Sequence, residues 1–151
     1  MRHLKLGDRE TVLTVNLTGI FVMTQAAGAV MLQQGKGRAI DLGSVSSRVG
    51  NPEHAASAAS KGAVAQLTVA PGAEWCRHGV LADAIGPAFT ETPLMRGSLE
   101  RPEARRRVVE KMPMGRMGEP RDIVGAAVFP ASEASAFVVG QTLSVDGGRT
   151  R

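Results

Sequence analysis

Apolar blocks of two lengths alternate along this chain, separated by polar or glycine-rich turns. The first long block predicts a helix over Arg9 to Gln33. It has so few polar positions after Gly19 that we expect it to be buried on more than one side. Gly35-Lys36-Gly37 ends this helix, because glycine readily adopts the left-handed conformation of a helix C-terminus. The apolar run Arg38 to Gly43 then has the length of a strand.

A second helix and a second strand follow. Asn51-Pro52-Glu53 predicts a helix start, because it combines a capping amide, a proline suited to the first turn and a carboxylate near the positive end of the helix dipole. The alanine-rich segment after it extends this helix to about Arg77, although Pro71 removes one backbone hydrogen bond. The next strand is predicted over Val80 to Ile85 and ends at Gly86-Pro87.

The C-terminal third predicts two more helices and a last strand. A basic helix is expected over Pro102 to Met112, and another from Glu119-Pro120 to near Pro130. The final strand is Gln141 to Asp146, closed by Gly147-Gly148. Helices between short apolar strands are typical of crossover units, so we expect an α/β fold with a parallel sheet of about three strands.

Composition narrows the class of protein. The 151 residues, 43% of them hydrophobic, suit one globular domain. The single cysteine, Cys76, excludes an internal disulfide and a cysteine-cluster zinc site, so we expect no metal and a reducing cytoplasmic location. The polar N-terminal segment predicts no secretory signal. Thr24 and Gln25 interrupt the most apolar stretch, Gly19 to Leu32, so no membrane span is expected.

The charge balance raises one alternative partner. A formal net charge of +4 comes largely from the run Arg101 to Arg107, which is a possible nucleic-acid patch. Only 3% of residues are aromatic, which leaves little for base stacking, and no recognition motif is present. A solvated basic helix face is the favoured interpretation, so no nucleic-acid partner is expected.

Ser57 and Lys61 are the first candidate chemical pair. Residues four apart lie on one face of a helix, which makes these two neighbours, and Ser44 lies in the turn after a predicted strand, where doubly wound sheets place their ligands. Each residue by itself is more often structural, the serine as a local hydrogen-bonding group and the lysine as a solvated charge. A serine–lysine hydrolase is disfavoured because the spacing of that chemistry is not met: Ser60 is adjacent to Lys61.

The order of several short motifs is more specific than any one of them. In chain order they are Asn16-Leu-Thr-Gly19, Gly43-Ser44-Val-Ser46, Ser57-x-x-x-Lys61, Pro87-Ala-Phe-Thr-Glu-Thr92, Pro113-Met-Gly-Arg-Met-Gly-Glu-Pro120 and Val145-Asp-Gly-Gly148. This series resembles the short-chain dehydrogenase/reductase family from about Glu10 to Gly148, in the C-terminal portion of that family's domain. The resemblance implies a partial Rossmann-like three-layer domain with the fifth to seventh strands of the family's sheet.

The same resemblance implies a function and a set of site residues. Members of the family transfer hydride between NAD or NADP and an alcohol or carbonyl, so a small-molecule substrate is expected. By position, the catalytic residues are Asn16, which supports a proton-relay water, Ser44, which polarises the substrate oxygen, Ser57 and Lys61. The cofactor-binding residues are Lys61, Pro87, Ala88, Thr90 and Thr92.

One position departs from the family in a way that affects the chemistry. Ser57 stands where the family has its catalytic tyrosine, and the chain contains no tyrosine at all. Hydride transfer to a carbonyl requires a proton donor, and a phenol with a reference pKa of about 10 can be tuned downward by a nearby ammonium. An aliphatic hydroxyl is a far weaker acid. General acid catalysis contributes about 10²–10⁴-fold, so we expect weak or absent activity from this chain alone.

The phosphate-binding half of the family's domain has no counterpart in the sequence. None of the 18 glycines forms a glycine-rich turn after a strand, which is where helix N-terminal amides meet the pyrophosphate of a dinucleotide. Residues 1–151 are therefore expected to form a single truncated domain. The strand at Ala39 to Leu42 would leave an apolar edge exposed, so self-association is expected. The family resemblance implies pairing through the two long helices, and the alternative function is a non-catalytic module that forms a homo-oligomer in this way.

Overall fold

Three parallel strands form the sheet in the computed structural model, which describes residues 3–151. Strand β1 (Gly37–Leu42) pairs with β2 (Val80–Pro87), and β2 pairs with β3 (Thr142–Val145), in the order β1-β2-β3. Gly37 lies opposite Val80, and Ala84 lies opposite Thr142. The predicted α/β class and the reduced parallel sheet are confirmed. Within residues 3–151, β1 is an edge strand.

The first long helix is confirmed but is divided in the middle. Helix α1 (Leu6–Leu13) runs into a π-helical turn at Thr14–Thr18 and then into α2 (Gly19–Gln34), which ends at Gly35 with a φ of 66°. The expected burial on more than one side is wrong, because only Thr24 and Gly28 of α2 are buried. An apolar sequence indicates that a helix needs covering, but it does not identify the covering layer.

The second long helix begins later than the sequence predicted. Helix α3 (Ala55–Trp75) starts four residues after Asn51, because Glu53 has a left-handed φ of 66° that an α-helix cannot contain. Helix α3 continues through Pro71 and passes into a 3₁₀ turn at Cys76–His78, so its end near Arg77 is confirmed.

Three shorter helices complete the chain between β2 and β3. They are α4 (Pro93–Arg96), α5 (Pro102–Val109) and α6 (Pro120–Ala131), with α5 ending three residues before the expected Met112. Helix α6 begins where the sequence placed it. Glu119 and Asp122 form a reciprocal capping box at its start, and Asp122 also accepts two hydrogen bonds from Arg116.

The core lies between the sheet and α3. Its most buried apolar side chains are Val64 on α3 and Val80, Ala82, Ala84 and Ile85 on β2. Strand β2 is central, so its apolar run is covered on both faces, as expected for a parallel strand. This core positions the C-terminal ends of β1 and β2 next to the start of α3.

The exposed surface of the N-terminal helices is unusually apolar. Val15 is 67% exposed, Val22 53% and Met23 68%. By length and composition alone, the 29-residue helical segment Leu6–Gln34 could cross a membrane. The sequence predicted no membrane span, because Thr24 and Gln25 interrupt its most apolar stretch. Exposed apolar side chains on a helix of this kind indicate a surface that another layer covers.

Candidate active site

A cavity of about 450 Å³ opens at the C-terminal ends of β1 and β2. Ligands of open α/β sheets bind at this end of the strands. Both serines and the lysine that the sequence singled out, Ser44, Ser57 and Lys61, line the cavity. So do all four other residues predicted to bind the cofactor, namely Pro87, Ala88, Thr90 and Thr92.

Ser44 occupies the turn that leaves β1. Its Oγ accepts a hydrogen bond from the main-chain N–H of Ser46 at 3.1 Å, which caps the 3₁₀ turn Val45–Ser47. This is the local hydrogen-bonding role that is usual for a serine in such a turn. It uses the hydroxyl only as an acceptor, so its proton remains available to a molecule in the cavity.

Ser57 and Lys61 lie one turn apart on α3. The Lys61 ammonium donates a hydrogen bond to the main-chain oxygen of Leu42 at 2.5 Å, which brings it to the end of β1. Burial lowers the pKa of Lys61, and the nearby Asp41 carboxylate opposes this shift. An ammonium has three N–H groups, so Lys61 keeps two for a ligand.

Asp41 is a partly buried carboxyl beneath the cavity. It accepts hydrogen bonds from Thr24 at 3.4 Å and from Thr68 at 3.0 Å, so it joins α2, β1 and α3. Burial raises its pKa, while the two threonine hydrogen bonds and the Lys61 charge lower it by less. The sequence placed Asp41 in a strand but did not identify this contact set.

Asn16 lies outside the cavity wall, in the π-helical turn between α1 and α2. Its amide nitrogen donates to the Oγ of Ser60 at 3.1 Å, and that hydroxyl donates to the main-chain oxygen of Ser57 at 2.7 Å. Single π-helical turns are frequent at functional sites because they redirect one side chain. The structure therefore connects Asn16 to the site through Ser60, a fully buried serine.

The loop after β2 forms the opposite wall. The main-chain N–H of Ala88 donates to Val145, which holds this loop against β3. Thr90 donates its hydroxyl to the main-chain oxygen of Ala88 at 3.1 Å and bridges to Gly118. Thr92 precedes the first residue of α4. These contacts bring the predicted cofactor-binding residues together on one wall.

The cavity also contains residues that the sequence did not single out. They are His54, Phe89, Met95 and Ile123 among the larger side chains. His54 directly precedes α3 and lies three residues before Ser57, a spacing that could have identified it. The apolar members come from a loop and two other helices, and no local pattern connects them.

The arrangement supports oxygen chemistry on a small molecule. Hydroxyls of Ser44 and Ser57 and the ammonium of Lys61 share one cavity whose volume suits a nicotinamide or a small substrate. The residues thus fit the nicotinamide end of a dinucleotide, whereas no glycine-rich phosphate turn occurs in the sequence. Within residues 3–151, no group of three or more metal-ligating side chains is present.

Known proteins match nearly the whole chain. A family model described as enoyl-(acyl carrier protein) reductase matches residues 2–150. Galactitol 2-dehydrogenase (L-tagatose-forming) of Cereibacter sphaeroides is 44% identical over 141 residues, which are 92% of this chain and 56% of that enzyme. A 3-oxoacyl-[acyl-carrier-protein] reductase of Synechocystis is 35% identical over 97% of this chain and 58% of its own length.

A solved structure extends the similarity to the fold. The gluconate 5-dehydrogenase of Burkholderia cenocepacia J2315, solved in complex with NADP and tartrate, matches with a TM-score of 0.95 and 39% identity over 99% of this chain and 58% of that chain. The chain thus spans a little over half the length of these relatives. Its partial Rossmann-like sheet and its ordered motifs have the same origin: the chain belongs to the short-chain dehydrogenase/reductase family, of whose domain it represents the C-terminal portion.

Proposed function

We propose that this chain carries the substrate- and nicotinamide-binding portion of an NAD(P)-dependent oxidoreductase acting on alcohols or carbonyls, with weak or no activity by itself. The observation that carries the proposal is the shared cavity of Ser44, Ser57 and Lys61. The expectation of low activity rests on Ser57, whose aliphatic hydroxyl takes the place of a phenol. Residues 1–151 are proposed to form one domain, in the cytoplasm.

Each residue has a role that follows from the hydrogen-bonding groups it has not yet used. Bound NAD(P)H supplies the hydride in the reduction direction. The Ser44 oxygen accepts a hydrogen bond from Ser46, and its O–H group donates a hydrogen bond to the substrate oxygen. Lys61 has two further N–H groups, which would hold a ribose hydroxyl of the cofactor and the substrate. Asn16 supports a proton-relay water behind Ser57, through Ser60.

Titration calorimetry with NADPH and NADH, followed by turnover assays on small alcohols and ketones, tests this proposal. We expect weak binding of either dinucleotide and little turnover, and Lys61→Met should weaken the binding further. Lys36→Met is the matched control, because Lys36 is an exposed lysine at the other end of β1. Tight dinucleotide binding with rapid turnover would contradict the low-activity part of the proposal.

A second candidate function is a non-catalytic module that self-associates through its long helices. The exposed apolar side chains Val15, Val22 and Met23 on α1–α2 favour it, as does the free edge of β1. Sedimentation analysis should show a mass that rises with protein concentration. Replacing Val22 and Met23 by lysine should reduce that mass, whereas an unchanged monomer at all concentrations would exclude the module.

A further inference from the structure

We propose that His54 is the proton-transfer group of this site, exchanging a proton with the substrate oxygen that Ser57 cannot serve. This inference rests on the proposed function, hydride transfer between NAD(P) and a carbonyl or alcohol. It differs from the family pattern, in which a tyrosine holds this role and the chain here has none. His54 would be a catalytic residue in the strict sense, in contact with the reacting oxygen.

The placement of His54 meets the first requirement. It lines the same cavity as Ser44, Ser57 and Lys61. His54 is the residue immediately before helix α3. The helix that carries Ser57 and Lys61 therefore also positions the backbone of His54. Among residues 3–151, the other two histidines, His3 and His78, lie outside this cavity.

A hydrogen bond defines which ring nitrogen faces the ligand. The Nδ1 of His54 lies 2.7 Å from the main-chain oxygen of Pro52. A carbonyl oxygen only accepts hydrogen bonds, so Nδ1 carries the hydrogen in this contact. The second nitrogen, Nε2, has no hydrogen-bond partner within the described part of the chain and remains available to a ligand.

The backbone before His54 is held in an uncommon conformation. Glu53 has a φ of 66° and is the only non-glycine residue with a positive φ in residues 3–151. Such conformations persist where surrounding structure demands them, and they cluster at active sites and ligand clamps. Here the positive φ of Glu53 accompanies the hydrogen bond between the His54 ring and the Pro52 oxygen, which orients the exposed ring.

The proposed step transfers one hydride and one proton to the substrate. In the reduction direction, hydride from the reduced nicotinamide cofactor forms a C–H bond at the carbonyl carbon, and the C=O π electrons move to the oxygen. The imidazolium of His54 gives its Nε2 proton to that oxygen. The products are the alcohol, the oxidised cofactor and a neutral imidazole, which regains a proton from water. Oxidation of an alcohol reverses each movement.

The charged groups around His54 leave this role open to it. Lys61 is the other titratable group in the cavity wall, and one of its N–H groups is committed to Leu42. Glu53 precedes His54 in the chain and is exposed. Asn51 belongs to the same turn as His54, and the guanidinium of Arg149 lies 3.4 Å from the Asn51 amide oxygen. None of these groups is bonded to the Nε2 side of the ring.

The test compares His54→Gln with the matched control His78→Gln in the full 151-residue chain. The rate of reduction of ethyl acetoacetate is measured with NADPH and with reduced nicotinamide mononucleotide, which needs no pyrophosphate cradle. We expect His54→Gln to lower the wild-type rate by about 10²-fold and His78→Gln to leave it unchanged.

A second readout does not depend on turnover. In nitrogen NMR spectra of the histidine rings, ethyl acetoacetate should shift the Nε2 signal of His54 and not that of His78. An unchanged rate in His54→Gln, equal to that of the wild type, would overturn the inference while the proposed function stands. A wild type that reduces nothing agrees with the low activity of the proposed function, and the NMR alone then tests His54: a shifted Nε2 supports the assignment, and an unshifted Nε2 overturns it.

Discussion

The ammonium nitrogen of Lys61 lies 2.5 Å from the main-chain oxygen of Leu42, so helix α3 is joined to the last residue of the edge strand. Asp41, the residue before Leu42, carries the carboxylate that faces this ammonium and opposes the lowering of its pKa. The contact therefore has a structural and an electrostatic side. It holds the lysine at the cavity, and it makes the protonation of Asp41 and Lys61 depend on each other.

Asp41→Asn should stabilise the protein at neutral pH. Burial raises the pKa of Asp41, so the folded protein holds this proton more tightly than the unfolded chain does. Stability is therefore lost as the pH rises from the unfolded value of 3.8 through the raised pKa, and the loss is complete above it. The variant removes the charge and with it this loss.

Thermal melts of Asp41→Asn and wild type at several pH values measure this effect. The melting temperature of the variant should exceed that of the wild type at pH 7, and the difference should close towards pH 4, where the wild-type carboxyl gains its proton. Glu74→Gln is the control, because Glu74 is an exposed carboxylate on α3. A lower melting temperature for Asp41→Asn at pH 7 would mean that the attraction to Lys61 outweighs the cost of burial.

Asp122→Asn should have the opposite effect and destabilise the protein at neutral pH. The hydrogen bond from Arg116, followed by that from the Glu119 N–H, lowers the pKa of Asp122 to about 2. Its stabilisation is present above the unfolded value of 3.8 and is lost as the pH falls from there to about 2. The variant should melt at a lower temperature than wild type at pH 7 and lose less stability below pH 4.

Acid titrations followed by circular dichroism test the Asp122 prediction. The matched control is Glu110→Gln, which breaks the exposed pair between Arg106 on α5 and Glu110 directly after it. Exposed pairs four residues apart are worth only about 0.3–0.5 kcal/mol, so this control should change little. Equal acid sensitivity of Asp122→Asn and wild type would show that the Arg116 contact does not persist in solution.

Ser57→Tyr should not create a dinucleotide-binding enzyme. The new phenol provides an acid beside Lys61, but the sequence still lacks a glycine-rich phosphate turn. The affinity for NADPH, measured by fluorescence titration, should remain that of the wild type. Ser57→Ala serves as the control for loss of the hydroxyl. Tight NADPH binding by Ser57→Tyr would show that the missing phosphate turn does not limit binding.

Gly28→Ala should destabilise the fold. A β-carbon at Gly28 would clash with the ring of Trp75, so helix α2 or the ring must move. Overpacking of this kind costs about 1–3 kcal/mol. The control is Gly125→Ala on α6, where a β-carbon meets nothing within 4 Å. Urea unfolding of the two variants compares the costs, and equal stability would show that α2 and α3 separate easily.

Local signals predicted the helices and strands well where they are chemically explicit. Gly35 ends a helix in the left-handed conformation, and Glu119-Pro120 begins one, as expected. Asn51-Pro52-Glu53 has the composition of a helix start, yet the helix begins at Ala55. The difference arises because Glu53 adopts a positive φ, which the contact between Pro52 and His54 accompanies and composition does not reveal.

The candidate site was partly predictable. Ser44, Ser57 and Lys61 were identified from motif order, and the structure places them in one cavity. Asn16 was identified too, but its connection through Ser60 depends on how α1 and α3 cross. Thr24 and Thr68, which hold Asp41, come from two helices that are distant in the chain, so no spacing rule could connect them.

The order of short motifs along the chain was sufficient to determine the family, the parallel α/β class and the absence of a phenol, because each depends on residue identity and local spacing. Tertiary structure alone decided which side chains share the cavity, that His54 is one of them, and that the apolar face of α2 stays exposed. The physical reason is that burial, charge coupling and cavity shape depend on contacts between residues far apart in sequence, which only the packed chain brings together.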